Sequence, residues 1–416
     1  MKELMLYLHV PFCVRKCNYC DFLSAVHPEE RRERYVEALC AEIRARGKEY
    51  SGRTVTSIFF GGGTPSLLLP AQISGIMDVI RETFPVASDA EVTMECNPGT
   101  VKSTEKPEGE SRQGNSDSEK KQESSKGEEL RGNMAEEERL AGYLKAGINR
   151  LSIGLQSAND EELKLLGRIH DYEAFLRTYQ AARAAGFSNV SVDLMNALPG
   201  QTLDSWKETL EKVLALKPVP EHLSVYSLIL EEGTRFFTWD GEGKFTGKLQ
   251  IPSEELDREM YAHTGKRLRE AGFEQYEISN YAREGRECRH NYGYWIRKEY
   301  LGLGLGAASL LDEIRYSNET DLEKYLKDPL SGRTAQSLGR KEQMEEFLFL
   351  GLRTCRGVKR KEFLECFGEP LDQYWQAVIE KNVADGLLLD EGEGIRLTAR
   401  GMDLSNYVSA QFLLEE

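Results

Sequence analysis

Cys13, Cys17 and Cys20 stand near the start of the chain, separated by three and then two residues. Thiolates at this spacing can converge from one loop onto one inorganic centre. Three of them on a [4Fe–4S] cluster leave one iron without a protein ligand, open to chelation by a small molecule. A zinc site of the Cys3His type, completed by His9, explains the spacing as well. The other five cysteines, Cys40, Cys96, Cys288, Cys355 and Cys366, are scattered. A disulfide framework belongs to small secreted domains, and this chain has 416 residues, so free thiols in a reducing cytosol are expected.

A second element follows a strand-like run at 55–60: Gly61-Gly62-Gly63-Thr64-Pro65. Glycines let a backbone pass close to a ligand and turn its N–H groups toward a carboxylate or phosphate. A glycine triplet alone is ordinary in turns. At the carboxyl end of a strand, on the same rim as the cysteine loop, it points to a bound ligand, because ligands of parallel β/α folds sit there.

The elements that must position these residues alternate. Strand-like runs at 4–10, 55–60, 90–95, 149–155, 189–194 and 222–230 are separated by helical patterns at 28–50, 70–83, 135–146, 160–185 and 203–216. Near-continuous apolar strands suit parallel pairing with both faces covered. The expected fold is α/β: a partial (β/α)6-type barrel over 1–232, an accessory region over 233–334 that completes the pocket, and a helical, winged-helix-like domain over 335–416. The stretch 102–133 breaks the rhythm. It carries seven basic and eight acidic residues and one large apolar residue, Leu130, so it is expected to be a disordered surface insertion. The hairpin expected at 386–397 is acidic (Asp390, Glu391, Glu393), which favours a structural or partner-docking role over DNA reading. A formal net charge of −15 likewise disfavours nucleic-acid binding. No apolar run is long enough to cross a bilayer and no signal peptide is apparent, so a cytoplasmic protein is expected.

The cysteine loop together with the Gly-Gly-Gly-Thr-Pro element resembles the radical S-adenosylmethionine superfamily. The match is finer than that. Thr93-Met-Glu95-Cys-Asn97-Pro98-Gly99, Arg150-Leu-Ser-Ile-Gly154-Leu-Gln156, Gly167-Arg168, Asp193 to Gln201 and Tyr276-Glu277-Ile-Ser-Asn280 recur in order. They resemble the coproporphyrinogen-dehydrogenase-like branch, and within it the haem chaperones. The resemblance implies that Cys13, Cys17 and Cys20 ligate the cluster and that Tyr7 and Tyr19 lie against cluster or cofactor. It implies that Gly62, Gly63 and Thr64 meet the methionine amino group, and that Glu95, Gln156, Arg168 and Asp193 contact S-adenosylmethionine. Each of these polar positions falls near a strand end or just after one, where a carboxylate suits ribose hydroxyls or an ammonium and an arginine suits a carboxylate.

Two features separate the branch's chaperones from its oxidases. The oxidases resemble this chain but carry a further cysteine two positions after the third ligand, where Phe22 stands, and an extension ahead of the first strand, where six residues precede Tyr7. A third feature, His290-Asn291-Tyr-Gly-Tyr294-Trp295, resembles the chaperones' His-Asn-x-x-Tyr-Trp motif and makes His290 a haem-ligand candidate, with Cys288 second. The chain departs from the branch where Pro is expected near Leu305, His near Ala308 and Tyr-Gly at Asn196-Ala197. The implied function is haem binding and delivery to acceptor proteins, with a flavodoxin- or ferredoxin-type electron donor and a homodimer among the implied partners. The alternative is an oxygen-independent coproporphyrinogen oxidase of porphyrin biosynthesis.

Overall fold

Strands β1 (Lys2–Val10), β2 (Arg53–Gly62), β3 (Val86–Cys96), β4 (Arg150–Gln156), β5 (Val190–Asn196) and β6 (His222–Ser227) lie side by side, each parallel to the next. Their apolar runs are covered on both faces; in β4 only Gln156 is not buried. The computed structural model describes residues 2–100 and 136–414, so the insertion expected at 102–133 lies outside the described residues.

The helices between the strands are α1 (Glu29–Tyr50), α2 (Pro70–Thr83), α3 (Glu136–Ala146), α4 (Asp160–Leu166), α5 (Tyr172–Ala184) and α6 (Leu203–Leu214). They bury faces such as Tyr35, Leu39 and Ile43 of α1 against the strands. One expectation is corrected. The periodicity predicts a single helix over 160–185, but the structure has two. Gly167 ends α4 in the left-handed region at φ 76°, and α5 restarts after Asp171, whose side chain accepts from Ala174 N.

Residues 233–334 do not form a separate layer; they extend the sheet at both edges. Strands β7 (Glu274–Glu277) and β8 (Asn280–Ala282) join antiparallel beyond β6. On the other side β9 (Tyr300–Leu303) pairs parallel with β1, followed by β10 (Ala308–Leu311), β11 (Ile314–Ser317) and β12 (Thr334–Ser337), completing twelve strands. Buried Glu42 of α1 fixes this return. It accepts from Gly304 N at 2.7 Å, Asn318 Nδ2 at 2.8 Å and Tyr325 OH at 2.8 Å, while burial pushes its carboxyl up to about 7.

The C-terminal residues build their own core around Leu348, Phe363, Trp375, Ile395 and Phe412, with a three-stranded sheet beside the helices. Two of its hairpin acids are internally paired: Asp390 with Arg360, and Glu391 with Arg396. A backbone bridge between Glu277 and Thr354, and Cys355 N donating to Tyr276 O at 2.9 Å, tie this unit to the edge of the large sheet. Among the described residues no helix is long and apolar enough to cross a membrane.

Candidate cofactor site

The cysteine loop leaves the end of β1 and is held from both sides. Cys13 N donates to Ala25 O and Ala25 N to Pro11 O, closing the loop on itself. Asn18 reaches across to α4, its backbone N donating to Leu166 O at 2.9 Å and its Nδ2 to Leu165 O at 2.8 Å. It thereby satisfies carbonyls that a helix C-terminus leaves open. A Cβ at Gly167 would stand 3.1 Å from the Asn18 side chain, so glycine there serves both the helix stop and the loop.

The three thiols are free and partly buried. Thr64 Oγ1 donates to Cys13 Sγ at 3.6 Å and Arg168 Nη1 to Cys17 Sγ at 3.7 Å. Burial pushes the Cys20 thiol up to about 11. His9, which the zinc alternative needs, has no nitrogen to give. Its Nδ1 accepts from Tyr7 OH at 3.0 Å and its Nε2 donates to Leu23 O at 2.8 Å. Among the described residues no three His, Cys, Asp or Glu side chains are drawn close enough to hold a single ion.

The glycine element packs against this loop. Gly62 sits at φ 108°, and a Cβ there would come within 2.6 Å of the His9 ring. At Gly63 a Cβ would meet Phe12 O at 2.7 Å. Gly62 N donates to Glu95 Oε2 at 3.2 Å, and Thr64 Oγ1 accepts from Asn97 Nδ2 at 3.0 Å. Gln156 follows at the end of β4 with φ 71°, a left-handed backbone that only a specific local demand sustains in a non-glycine residue.

Arg168 is the hub. The break after α4 turns it inward, where its Nη2 donates to Asn97 Oδ1 at 2.5 Å and Gly154 O at 2.7 Å while Nη1 faces Cys17. Gly154 makes the room: a Cβ there would fall 3.0 Å from Asn97 Oδ1 and 3.2 Å from Arg168 Nη2. Tyr19 lies beside Arg168 but turns toward an apolar group of Leu166, Met195, Leu198 and Phe236.

Tyr7, Glu95, Asp193 and His290 converge on a cavity of about 210 Å³, lined also by Arg150 and Tyr226. Its two carboxyls differ. Asp193 accepts from Ser152 Oγ at 2.9 Å and Ser191 Oγ at 3.1 Å, and burial still holds it above the usual range. Glu95 has one backbone N–H, and burial, reinforced by the neighbouring Asp193 charge, pushes it up to about 8. A carboxyl whose pKa rises on folding contributes stability that is fully present below its unfolded value and lost as pH climbs through the folded one. Thermal stability of the cofactor-free protein should therefore fall from the ordinary carboxylate range up to about pH 8. Glu95→Gln, which keeps an acceptor for Gly62 N, should flatten that fall in melting curves taken across the range; an unchanged slope would place the titration on another group.

His290 requires a correction. It is fully buried, stacked on Phe59 with ring centroids 5.2 Å apart, and both ring nitrogens have protein partners: Ser57 Oγ at 2.9 Å and Tyr294 OH at 2.9 Å. Burial, aided by the Arg150 charge, pushes it down to about 3. The ring is a neutral wall of the cavity, with no nitrogen open to an iron. Cys288 is equally enclosed, its thiol directed to Glu91 and pushed up to about 12 by burial. Sequence reasoning missed Asn97 and Arg150 as site members although it quoted both motifs. The signal was there: Asn97 directly follows a strand end, and Arg150 is a charged residue opening a strand that is buried along almost its whole length.

Residues 7–112 and 120–213 match the Radical SAM superfamily, and residues 338–404 match the HemN C-terminal domain. A Heme chaperone HemW of Bacillus subtilis is 32% identical over 98% of this chain and 99% of its own length. The chain belongs to the radical SAM superfamily, in its HemN-like branch close to HemW. The Heme chaperone HemW of Escherichia coli is 31% identical over 100% of this chain and 99% of its own. A mouse protein, Radical S-adenosyl methionine domain-containing protein 1, mitochondrial, is 34% identical over 95% and 84%. Among solved structures, the coproporphyrinogen III oxidase HemN of Escherichia coli superposes with a TM-score of 0.77 at 24% identity, covering 99% of this chain and 90% of that one. This shows the shared fold. Membership of the radical SAM superfamily implies a [4Fe–4S] cluster and S-adenosylmethionine. The residues present fit both: three free thiols on one loop, a glycine-lined approach, and buried Arg150 and Arg168 whose Nε atoms have no partner among the described residues.

Proposed function

We propose that this protein binds haem and passes it to acceptor proteins, carrying a [4Fe–4S] cluster on Cys13, Cys17 and Cys20 with S-adenosylmethionine beside it. The observation that carries this reading is the similarity, over nearly the full length, to relatives named as haem chaperones, at 31–32% identity. The oxidase HemN offers likeness of fold at 24% identity. The local surface supports it. Where the oxidases carry a further cysteine, Phe22 stands 59% exposed, and Val14, Val26 and Ile169 are exposed around the same loop. Exposed apolar groups around a cofactor loop suit a flat apolar cargo or the protein that receives it.

In this reading Gly62, Gly63 and Thr64 meet the methionine amino group, Glu95 and Asp193 accept hydrogen bonds from the cofactor's polar groups, and Arg168 with Gln156 braces it. Tyr7 and Tyr19 flank the pair. When bound, cluster and cofactor supply one-electron chemistry; the chain's own residues orient them and exclude water. His290 takes no part as an iron ligand.

Anaerobic haem titration tests the proposal. The expected result is saturable, stoichiometric uptake with a shifted Soret band, followed by transfer to an apo-haem protein. Absence of haem uptake, together with decarboxylation of coproporphyrinogen III in the presence of reductant and S-adenosylmethionine, would replace this reading with the oxidase.

A further inference from the structure

A second cavity, of about 400 Å³, adjoins the first and shares Tyr226 and Asn291 with it. It lies where the edge of the large sheet meets the C-terminal unit, and its walls carry an unusual set of polar atoms. Glu277 Oε2, Asn280 Oδ1, Trp295 Nε1 and Arg353 Nε are all buried and have no hydrogen-bond partner among the described residues. Buried polar groups are almost always paired, by protein, water or ligand. Four such atoms on one cavity therefore point to an occupant.

The other charges on these walls are already satisfied. Asp257 accepts from Asn196 Nδ2 at 2.6 Å and Ser227 Oγ at 2.7 Å, and Arg258 pairs with Asp403 at 3.2 Å. The Arg353 side chain makes neither a hydrogen bond nor an ion pair among the described residues. Its guanidinium lies over the Trp295 ring, 4.5 Å from the centroid. The unspent donors are thus one planar cation and one indole N–H side by side. That pair suits a carboxylate better than a neutral amide or hydroxyl.

We propose that this cavity receives a carboxylate arm of the haem, held by the Arg353 guanidinium and the Trp295 indole N–H, with the macrocycle directed toward the cofactor cavity past Tyr226 and Asn291. The proposal rests on the haem reading above and assigns it a place. Haem is an apolar disc with two carboxylates, and this cavity is lined by the aromatic rings of Tyr226, Tyr261 and Trp295 as well as by the Arg353 cation. Glu277 is the acid nearest this cation: burial raises its carboxyl above the usual range while the Arg353 charge lowers it, and its Oε1 is already taken by Ser279 N and Asn280 Nδ2. The C-terminal unit then has a definite task. It supplies Arg353, one residue before the backbone bridge that joins Thr354 to Glu277.

The test compares haem with its dimethyl ester, in which both carboxylates are blocked, on the full-length reconstituted protein. Wild type should prefer haem by about tenfold or more, as expected for one charge-assisted contact. Arg353→Gln should bind the two alike, with ester affinity unchanged from wild type. Trp295→Phe, which keeps the ring and removes the N–H, should narrow the preference. If Arg353→Gln fails to fold, Trp295→Phe decides. A variant that keeps the full wild-type preference overturns the proposal while leaving the haem reading intact, because the carboxylate is then held elsewhere or the cavity holds water alone. Wild type binding neither compound ends both.

Discussion

Cys17→Ala should empty the protein of iron and sulfide. Reconstituted anaerobically, the wild-type chain should take up about four irons and four sulfides, as a single cluster requires. The variant should retain under one of each, because two thiolates on one loop do not hold a cluster that already has one iron without a protein ligand. Cys17 is the informative choice, since it is the thiol that Arg168 faces. The effect should be specific: Cys40 lies on α1 away from the loop, and Cys40→Ala should keep its full complement. Chemical iron and sulfide determination with electron paramagnetic resonance of the reduced protein reads the result. Wild type that takes one zinc and no sulfide, or a Cys17→Ala variant with undiminished iron, would refute the assignment.

Much of this was legible because the barrel advertises itself. Parallel strands covered on both faces leave continuous apolar runs, and all six fell within a few residues of where the runs predicted. The misread helix at 160–185 shows what periodicity cannot carry. Apolar spacing continues through Gly167 and Arg168, but the chain breaks there to turn an arginine toward Cys17, and only the glycine signalled it. His290 is the opposite case. Its motif suggested an open ligand, whereas the partners that close both nitrogens, Ser57 and Tyr294, come from β2 and the next helical turn; the first is 233 residues away in sequence. Distant pairings of that kind are invisible in one sequence. The departure at Ala197 has a physical counterpart too. Where the resemblance leads one to expect glycine, Ala197 adopts φ 56°, a conformation costing an L-residue roughly 1–2 kcal/mol.

Arg168→Met should both weaken the fold and make the cluster harder to reduce. The guanidinium now satisfies Asn97 Oδ1 and Gly154 O; methionine fills similar space and leaves both acceptors unpaired. At about 1–3 kcal/mol for each of the two unpaired buried groups, the loss should total roughly 2–6 kcal/mol, visible as a lower denaturation midpoint of the cluster-free protein. The second effect comes from charge. A cation donating toward a ligating sulfur stabilises the reduced, more negative cluster, so its removal should lower the reduction potential. Arg168→Lys separates the two. Lysine keeps the positive charge but cannot reach Asn97, Gly154 and Cys17 at once, so stability should fall nearly as far while the potential moves much less. Equal potentials in wild type and Arg168→Met would show that the Arg168–Cys17 contact does not tune the cluster, and would reduce Arg168 to a brace between β4 and the loop after β3.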